Sequence, residues 1–296
     1  MNWEIILAIH LIIWTFSAAI LKHIAKKIPS AKALTIIFFL CAIMMLGYNL
    51  TLGDFRFAPF FLLISSVGFI NSYGSYCQLR AYKFSFSKTN LFLPLSTVIT
   101  AGLAALFLGE SKIYNSKVLI GVLILLIAAV FLAFKKSQKE EKNIGAEWLL
   151  FALGMASIWG MAFFMVKFFS FTIPRETFLL YWYIGAFFGS SSILGLGRII
   201  KIEENQRQKA EKISFKKVWF VIPASILILL SLTTQYWAFQ LAPAGAVESI
   251  RRFGMSLLPI PIGWYFFKEK KELTKVQTLG FILGIIGTSL TILGIY

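Results

Sequence analysis

The chain has 296 residues, of which 58% are hydrophobic, 16% aromatic and only 14% charged, and its mean hydropathy is +0.78. Soluble domains carry about a quarter of their residues as charges, and an apolar surplus this large cannot be hidden inside one water-facing fold of this length. Soluble enzymes, disordered tails and disulfide scaffolds are excluded, and the net charge of +16 reads as basic loops against anionic lipid headgroups rather than as a nucleic-acid surface.

Blocks long enough to cross a bilayer, about 20 apolar residues each, lie near 3–21, 33–50, 58–79, 89–108, 117–134, 147–169, 177–196, 218–240, 245–267 and 276–295. The expected fold class is an all-α membrane protein of ten transmembrane helices, because each block is continuously apolar rather than alternating. The first block opens on Glu4 and is too long for a signal peptide, so it reads as a retained span. Cys41 and Cys77 lie inside apolar blocks and behave as small hydrophobes. Basic residues follow the odd-numbered spans, in runs such as Lys22–Lys32, Lys135–Lys142 and Lys268–Lys275: 22 Lys and Arg on that side against 5 on the other. That bias puts the odd connections in the cytoplasm and both termini outside. The longest connection, Arg198–Lys217, reads as a polar surface linker.

Span one carries His10 and Trp14 and ends at Lys22. Span three carries Asn71, Tyr73, Tyr76 and Gln78, with a rough counterpart in Thr233, Thr234, Gln235 and Tyr236 on span eight. Such polar stretches line a cavity or supply hydrogen bonds between membrane helices. Pro94 interrupts span four, and Pro259 and Pro261 interrupt span nine, where kinks are expected. Span six carries Trp159 and ends at Lys167. Spans seven and ten carry Gly185, Gly189 and Ser192, then Gly280, Gly284 and Gly287, at helical spacing that permits close backbone approach. Span nine holds the most informative group, Glu248, Arg251 and Arg252. Ionisable residues at membrane depth are expensive and functional by default. Glu248 faces both arginines at i+3 and i+4, and one guanidinium in a cavity would offer its fork to a carboxylate or phosphate. An interfacial ion pair with snorkelling side chains is the other reading.

The two halves resemble one another. Ile13-Trp14 with Lys22 and Ile158-Trp159 with Lys167 repeat at an offset of 145; Arg80-Ala81-Tyr82-Lys83 and Trp237-Ala238-Phe239-Gln240 at 157; Phe107-Leu108-Gly109-Glu110 with Gly121 and Phe266-Phe267-Lys268-Glu269 with Gly280 at 159. A repeat of five spans has an odd number of crossings, so residues 1–142 and 143–296 enter the membrane in opposite senses as two inverted halves around a central cavity. On these segments, and on Ala238-Phe-Gln-Leu-Ala-Pro-Ala-Gly245, the chain resembles the drug/metabolite transporter superfamily in its ten-span EamA-like branch. The resemblance implies a carrier of amino acids, drugs, sugars or other small metabolites through a central cavity. It also implies termini in the cytoplasm, opposite to the charge count.

The expected activity is secondary active transport of a small organic solute by alternating access, at a site built from Arg251, Arg252, Glu248, Trp14, Trp159, Tyr73, Gln78, Gln235 and Tyr236. A membrane-embedded lipid-modifying enzyme, a channel and a flippase of larger amphiphiles are the alternatives. There is no GxxxxGK[ST] loop for a nucleotide and no Cys/His cluster with metal spacing, so no cofactor and no metal are expected. The expected partners are the solute and membrane lipids, with proton or counter-solute coupling both open, for a monomer or weak homodimer in the cell membrane.

Overall fold

The computed structural model describes residues 2–52, 60–109, 115–133, 139–199, 219–242, 244–268 and 274–295. Among these residues the chain is helical throughout, with no strand, in twelve helices. They are α1 (Trp3–Lys27), α2 (Ser30–Leu52), α3 (Phe60–Phe84), α4 (Phe86–Leu91), α5 (Pro94–Phe107), α6 (Ser116–Ala133), α7 (Lys139–Ser170), α8 (Arg175–Ile199), α9 (Val221–Leu241), α10 (Ala244–Leu257), α11 (Pro259–Phe266) and α12 (Lys275–Ile295).

Local chemistry sets the boundaries. The residue before a proline is driven out of the helical region: Ile28, ahead of Pro29, is extended at φ −127° and ψ 142° and ends α1, whose last turn carries Lys26 and Lys27 against the helix dipole. Ser85 turns the chain out of α3 and caps α4 by accepting from Lys88 N–H at 3.3 Å. Pro94 and Pro259 each stand in the first turn of a new helix, where proline's missing N–H removes no bond. The blocks expected as spans four and nine are thus each broken into two helices, as their prolines suggest. The breaks fall at different places, near residue 92 in one and at Leu258 in the other.

Six helices are long and apolar enough to cross a membrane among the described residues: Trp3–Lys27, Ser30–Leu52, Phe86–Phe107 (taken across the α4–α5 break), Ala146–Ser170, Arg175–Leu196 and Val221–Leu241. The other four expected spans correspond to α3, α6, the α10–α11 pair and α12. Polarity accounts for two of them: α3 carries Ser65, Ser66, Asn71, Ser72, Ser75 and Gln78, and α10 carries Glu248, Arg251 and Arg252. Lys139 and Lys142, expected in a connection, lie in α7, which starts ahead of its apolar stretch and runs through the expected boundary at residue 142. Most of the Arg198–Lys217 linker, together with Glu110 and Glu269, falls outside the described residues.

The bundle buries polar groups within an apolar core and is apolar outside. On α1, Ile5, Ile9, Ile12 and Phe16 are exposed, while Ile6, His10, Trp14 and Ser17 are buried. This fits a multi-pass membrane protein, whose lipid-facing side needs no polar cover. Helix α2 packs on α8 at one end of the bundle and α6 on α12 at the other, with α1 on α9, α3 on α7 and α8, and α5 on α7 and α10 between them. Close approach depends on glycine at the α3–α8 contact. A Cβ on Gly68 would lie 2.1 Å from Trp182 O, and one on Gly185 only 1.8 Å from Ser65 O.

Two features recur at the offsets seen in the sequence. Lys22 on α1 donates to Tyr82 O, two residues from the end of α3. Lys167 on α7 donates to Phe239 O and Ala242 O, both at 2.8 Å, at the end of α9. Each buried ammonium thus satisfies carbonyls that a helix C-terminus leaves without partners. Likewise Gly109 (φ +71°) follows α5 in the left-handed region, and Lys268 (φ +58°) follows α11 there. A side chain in that conformation costs about 1 kcal/mol, which Gly109 avoids. Lys268→Gly is therefore expected to stabilise the purified protein by about 1 kcal/mol, read as a higher melting temperature in detergent; an unchanged or lower value would refute the strain.

Candidate functional site

Trp14 on α1 and Trp159 on α7 meet at the centre of the bundle. Their ring centroids are 5.8 Å apart and the planes cross at 75°, an edge-to-face pair. Trp159 lies against Gly74 of α3, where a Cβ would come within 2.6 Å of the indole. Neither indole N–H has a hydrogen-bond partner, although both side chains are buried.

Beside them α10 delivers the ionic cluster. One turn of helix puts Glu248 under both arginines. Arg251 Nη2 donates to Glu248 Oε1 at 2.6 Å and to Oε2 at 2.8 Å, and Arg252 Nε donates to Oε2 at 3.0 Å. All three side chains are at most 1% exposed. Gln235 on α9 completes the ring: its Oε1 accepts from Arg251 Nη1 at 3.1 Å and its Nε2 approaches Glu248 Oε1 at 3.5 Å. The guanidinium groups also lie over aromatic faces, Arg251 at 4.4 Å and Arg252 at 4.7 Å from the Phe163 centroid, with Arg252 5.6 Å from that of Trp159. Arg251 Nε and both Nη atoms of Arg252 have no acceptor. Full burial rules out snorkelling for this group, since neither arginine reaches the surface.

A cavity opens against this cluster, with about 70 Å³ available to the centres of water molecules, several times the ~10–15 Å³ that one water needs. Of the residues expected at the site, Trp14, Gln78, Trp159, Gln235 and Arg251 line it. Glu248 and Arg252 stand behind the wall, bonded to or stacked on residues that form it. Tyr73 and Tyr236 are elsewhere. The Tyr73 hydroxyl is 2.9 Å from Ser192 Oγ, linking α3 to α8. Tyr236 is fully buried with its hydroxyl 3.0 Å from Phe169 O and 2.7 Å from Ile173 O, and it stacks on Phe178 at 4.7 Å; it ties α9 to the end of α7. His10 donates from Nδ1 to Ser231 O at 2.9 Å, with Thr234 Oγ1 at 3.2 Å, so it joins α1 to α9.

The wall also includes residues not expected at the site: Asn71, Ser75, Phe163, Trp182, Tyr183 and Ser231. Helical spacing points to three of them. Asn71 and Ser75 are i−7 and i−3 from Gln78, and Phe163 is i+4 from Trp159. Asn71 Oδ1 is buried without a donor. Behind Gln78 a buried chain continues, in which Gln78 Nε2 donates to the Tyr82 hydroxyl at 2.8 Å and that hydroxyl donates to Asn90 Oδ1 at 2.9 Å. Among the described residues no group of His, Cys, Asp and Glu is placed to hold a metal ion.

No protein-family model matches the chain, and no curated protein matches it. Of 23 similar chains among solved structures, one protein crystal structure aligns over 98% of this chain and 96% of its own, at a TM-score of 0.62 and 13% identity. A likeness at that identity concerns the fold alone.

Proposed function

We propose that the chain is a secondary carrier that moves a small organic solute across the cell membrane by alternating access, with two inverted five-span halves rocking about the cavity. The observation that carries this reading is the buried ionic and aromatic cavity itself. Open hydrogen-bond donors and a charged cluster at the core of an apolar helical bundle are costly to stability, and a solute that docks there gives them a purpose. Three pairs support the repeat: Trp14 with Trp159, which touch; Lys22 with Lys167, which cap α3 and α9; and Gly109 with Lys268, which share a backbone conformation. Helices of opposite halves also interleave, α1 with α9 and α3 with α7 and α8. The EamA-like resemblance belongs to this proposal, as does the orientation with both termini outside, which rests on the basic bias of the odd connections.

The test is a thermal-shift screen of the purified full chain against amino acids, nucleosides, sugar phosphates and small organic acids, followed by counterflow of each hit in proteoliposomes. A ligand that binds the folded state raises the melting temperature, and the same ligand is expected to exchange across the bilayer. Arg251→Ala is expected to slow that exchange by at least about tenfold, the effect of losing one charge-assisted hydrogen bond. A hit that binds yet never crosses the vesicle membrane would rule out the carrier.

A further inference from the structure

Guanidinium and indole donors gather at the cavity, and the acceptors on its described lining side chains are neutral amide and hydroxyl oxygens. The indole N–H groups of Trp14 and Trp159 have no acceptor there, and neither has Nε–H of Arg251 at the wall. Asn71 Oδ1 is a buried acceptor without a donor, and Ser75, Gln78 and Ser231 add hydroxyl and amide oxygens to the wall. No acidic side chain is among the described lining residues. The nearby carboxylate, Glu248, is already held by Arg251 and Arg252. Two guanidinium groups against one carboxylate leave the cluster with a single uncompensated positive charge in a buried setting, where charges interact strongly. The faces of Trp159 and Phe163 are occupied by those same guanidinium groups, and Trp14, Phe38, Trp182 and Tyr183 supply the rest of the aromatic wall.

We infer that the solute is an organic monocarboxylate without an ammonium group, held at the cavity face of Arg251 with its apolar part against the tryptophan pair. This rests on the carrier reading for how the solute arrives and leaves. A monoanion matches the one spare charge. A phosphate ester, at about −1.5 to −2, overshoots it, and an amino acid or an amine brings a cation that meets no carboxylate among the described lining residues. As the solute takes Arg251, Glu248 stays with Arg252, whose bare Nη groups supply the rest of a two-pronged fork for it. The cluster thus exchanges carboxylate partners without any charge being left alone.

Five probes of one skeleton separate the possibilities: benzoate, benzamide, phenylglycine, benzylamine and phenyl phosphate, each titrated into the purified full chain in detergent and then tested for counterflow in proteoliposomes. Benzoate is expected to bind at least about tenfold more tightly than each of the others, and to exchange across the vesicle membrane. In Arg251→Gln its advantage over benzamide should vanish, with the ligand-free melting temperature recorded as the check on folding; the five-probe series on the unaltered chain needs no variant. Phenylglycine, benzylamine or phenyl phosphate binding as tightly as benzoate would overturn the monocarboxylate assignment, and flux of that probe would leave the carrier standing. Benzoate that binds but is not moved would overturn the carrier and leave the anion site. Binding of none of the five, or of benzoate undiminished in a folded Arg251→Gln protein, would also overturn the assignment.

Discussion

Glu248→Gln is expected to destabilise the protein by about 3–5 kcal/mol, enough to lower its yield from membranes and its melting temperature in detergent by a wide margin. Glutamine keeps the shape of the side chain but removes the only negative charge bonded to Arg251 and Arg252 among the described residues, and all three groups are at most 1% exposed. Two guanidinium groups on adjacent residues of α10, both over Phe163, would then have lost that counter-charge. Gln235 would still accept from Arg251 at 3.1 Å, and Phe163 would still lie beneath both cations, so folding need not fail outright. The diagnostic comparison is a double-mutant cycle. Glu248→Gln with Arg252→Gln leaves one cation instead of two, and should lose less stability than the two single changes summed. Strict additivity, or a melting temperature unmoved by Glu248→Gln, would show that the carboxylate is not the counter-charge that holds the cluster.

Gly185→Ala is the second large effect expected, by a different cause. A Cβ at Gly185 would sit 1.8 Å from Ser65 O, 2.6 Å from Ser65 C and 2.7 Å from Ser65 Cα. These are backbone atoms of α3, which cannot turn aside as a side-chain tip can, so α3 and α8 must part. Overpacking of this kind costs about 1–3 kcal/mol and sometimes more, and here it also pries at Tyr73–Ser192 and at Ser65 Oγ, which donates to Tyr181 O at 3.0 Å. Gly195→Ala on the same helix is the control: a Cβ there meets nothing within 4 Å, and alanine is the better helix former. The two variants should therefore shift the melting temperature in opposite directions, or the control not at all. Equal losses from both would refute the contact.

What could be read from the sequence follows from what lipid does and does not distinguish. Hydropathy marks which stretches sit in an apolar medium, and the described helices fall on the expected blocks because every backbone group there must be bonded internally. The i+3 and i+4 spacing brought Glu248 to its arginines, as local geometry requires. Which way a side chain points is another matter. Lipid tails are as apolar as leucine, so the inward and outward faces of a membrane helix show little contrast: Phe38 is 3% exposed and its neighbour Phe39 is 46%. Tyr73 and Tyr236 were expected at the cavity because they are polar at membrane depth, but a hydroxyl needs only one acceptor, and each found one at a helix contact instead. Lys22 and Lys167 sit at span ends, where a long side chain is expected to snorkel to the interface. Their targets, the carbonyls of Tyr82 and Phe239, are 60 and 72 residues away, beyond any local pattern.

The tryptophan pair has one more consequence. When two rings meet edge to face, one offers its rim and the other its plane, and the two roles cannot be held at once by both. In the proposed repeat Trp14 and Trp159 are counterparts, yet they meet edge to face, with 75° between their planes. The contact therefore breaks the symmetry that the repeat would impose, and exchanging the halves is the same act as exchanging rim for plane. Inward and outward forms of the proposed carrier would differ by which indole is turned.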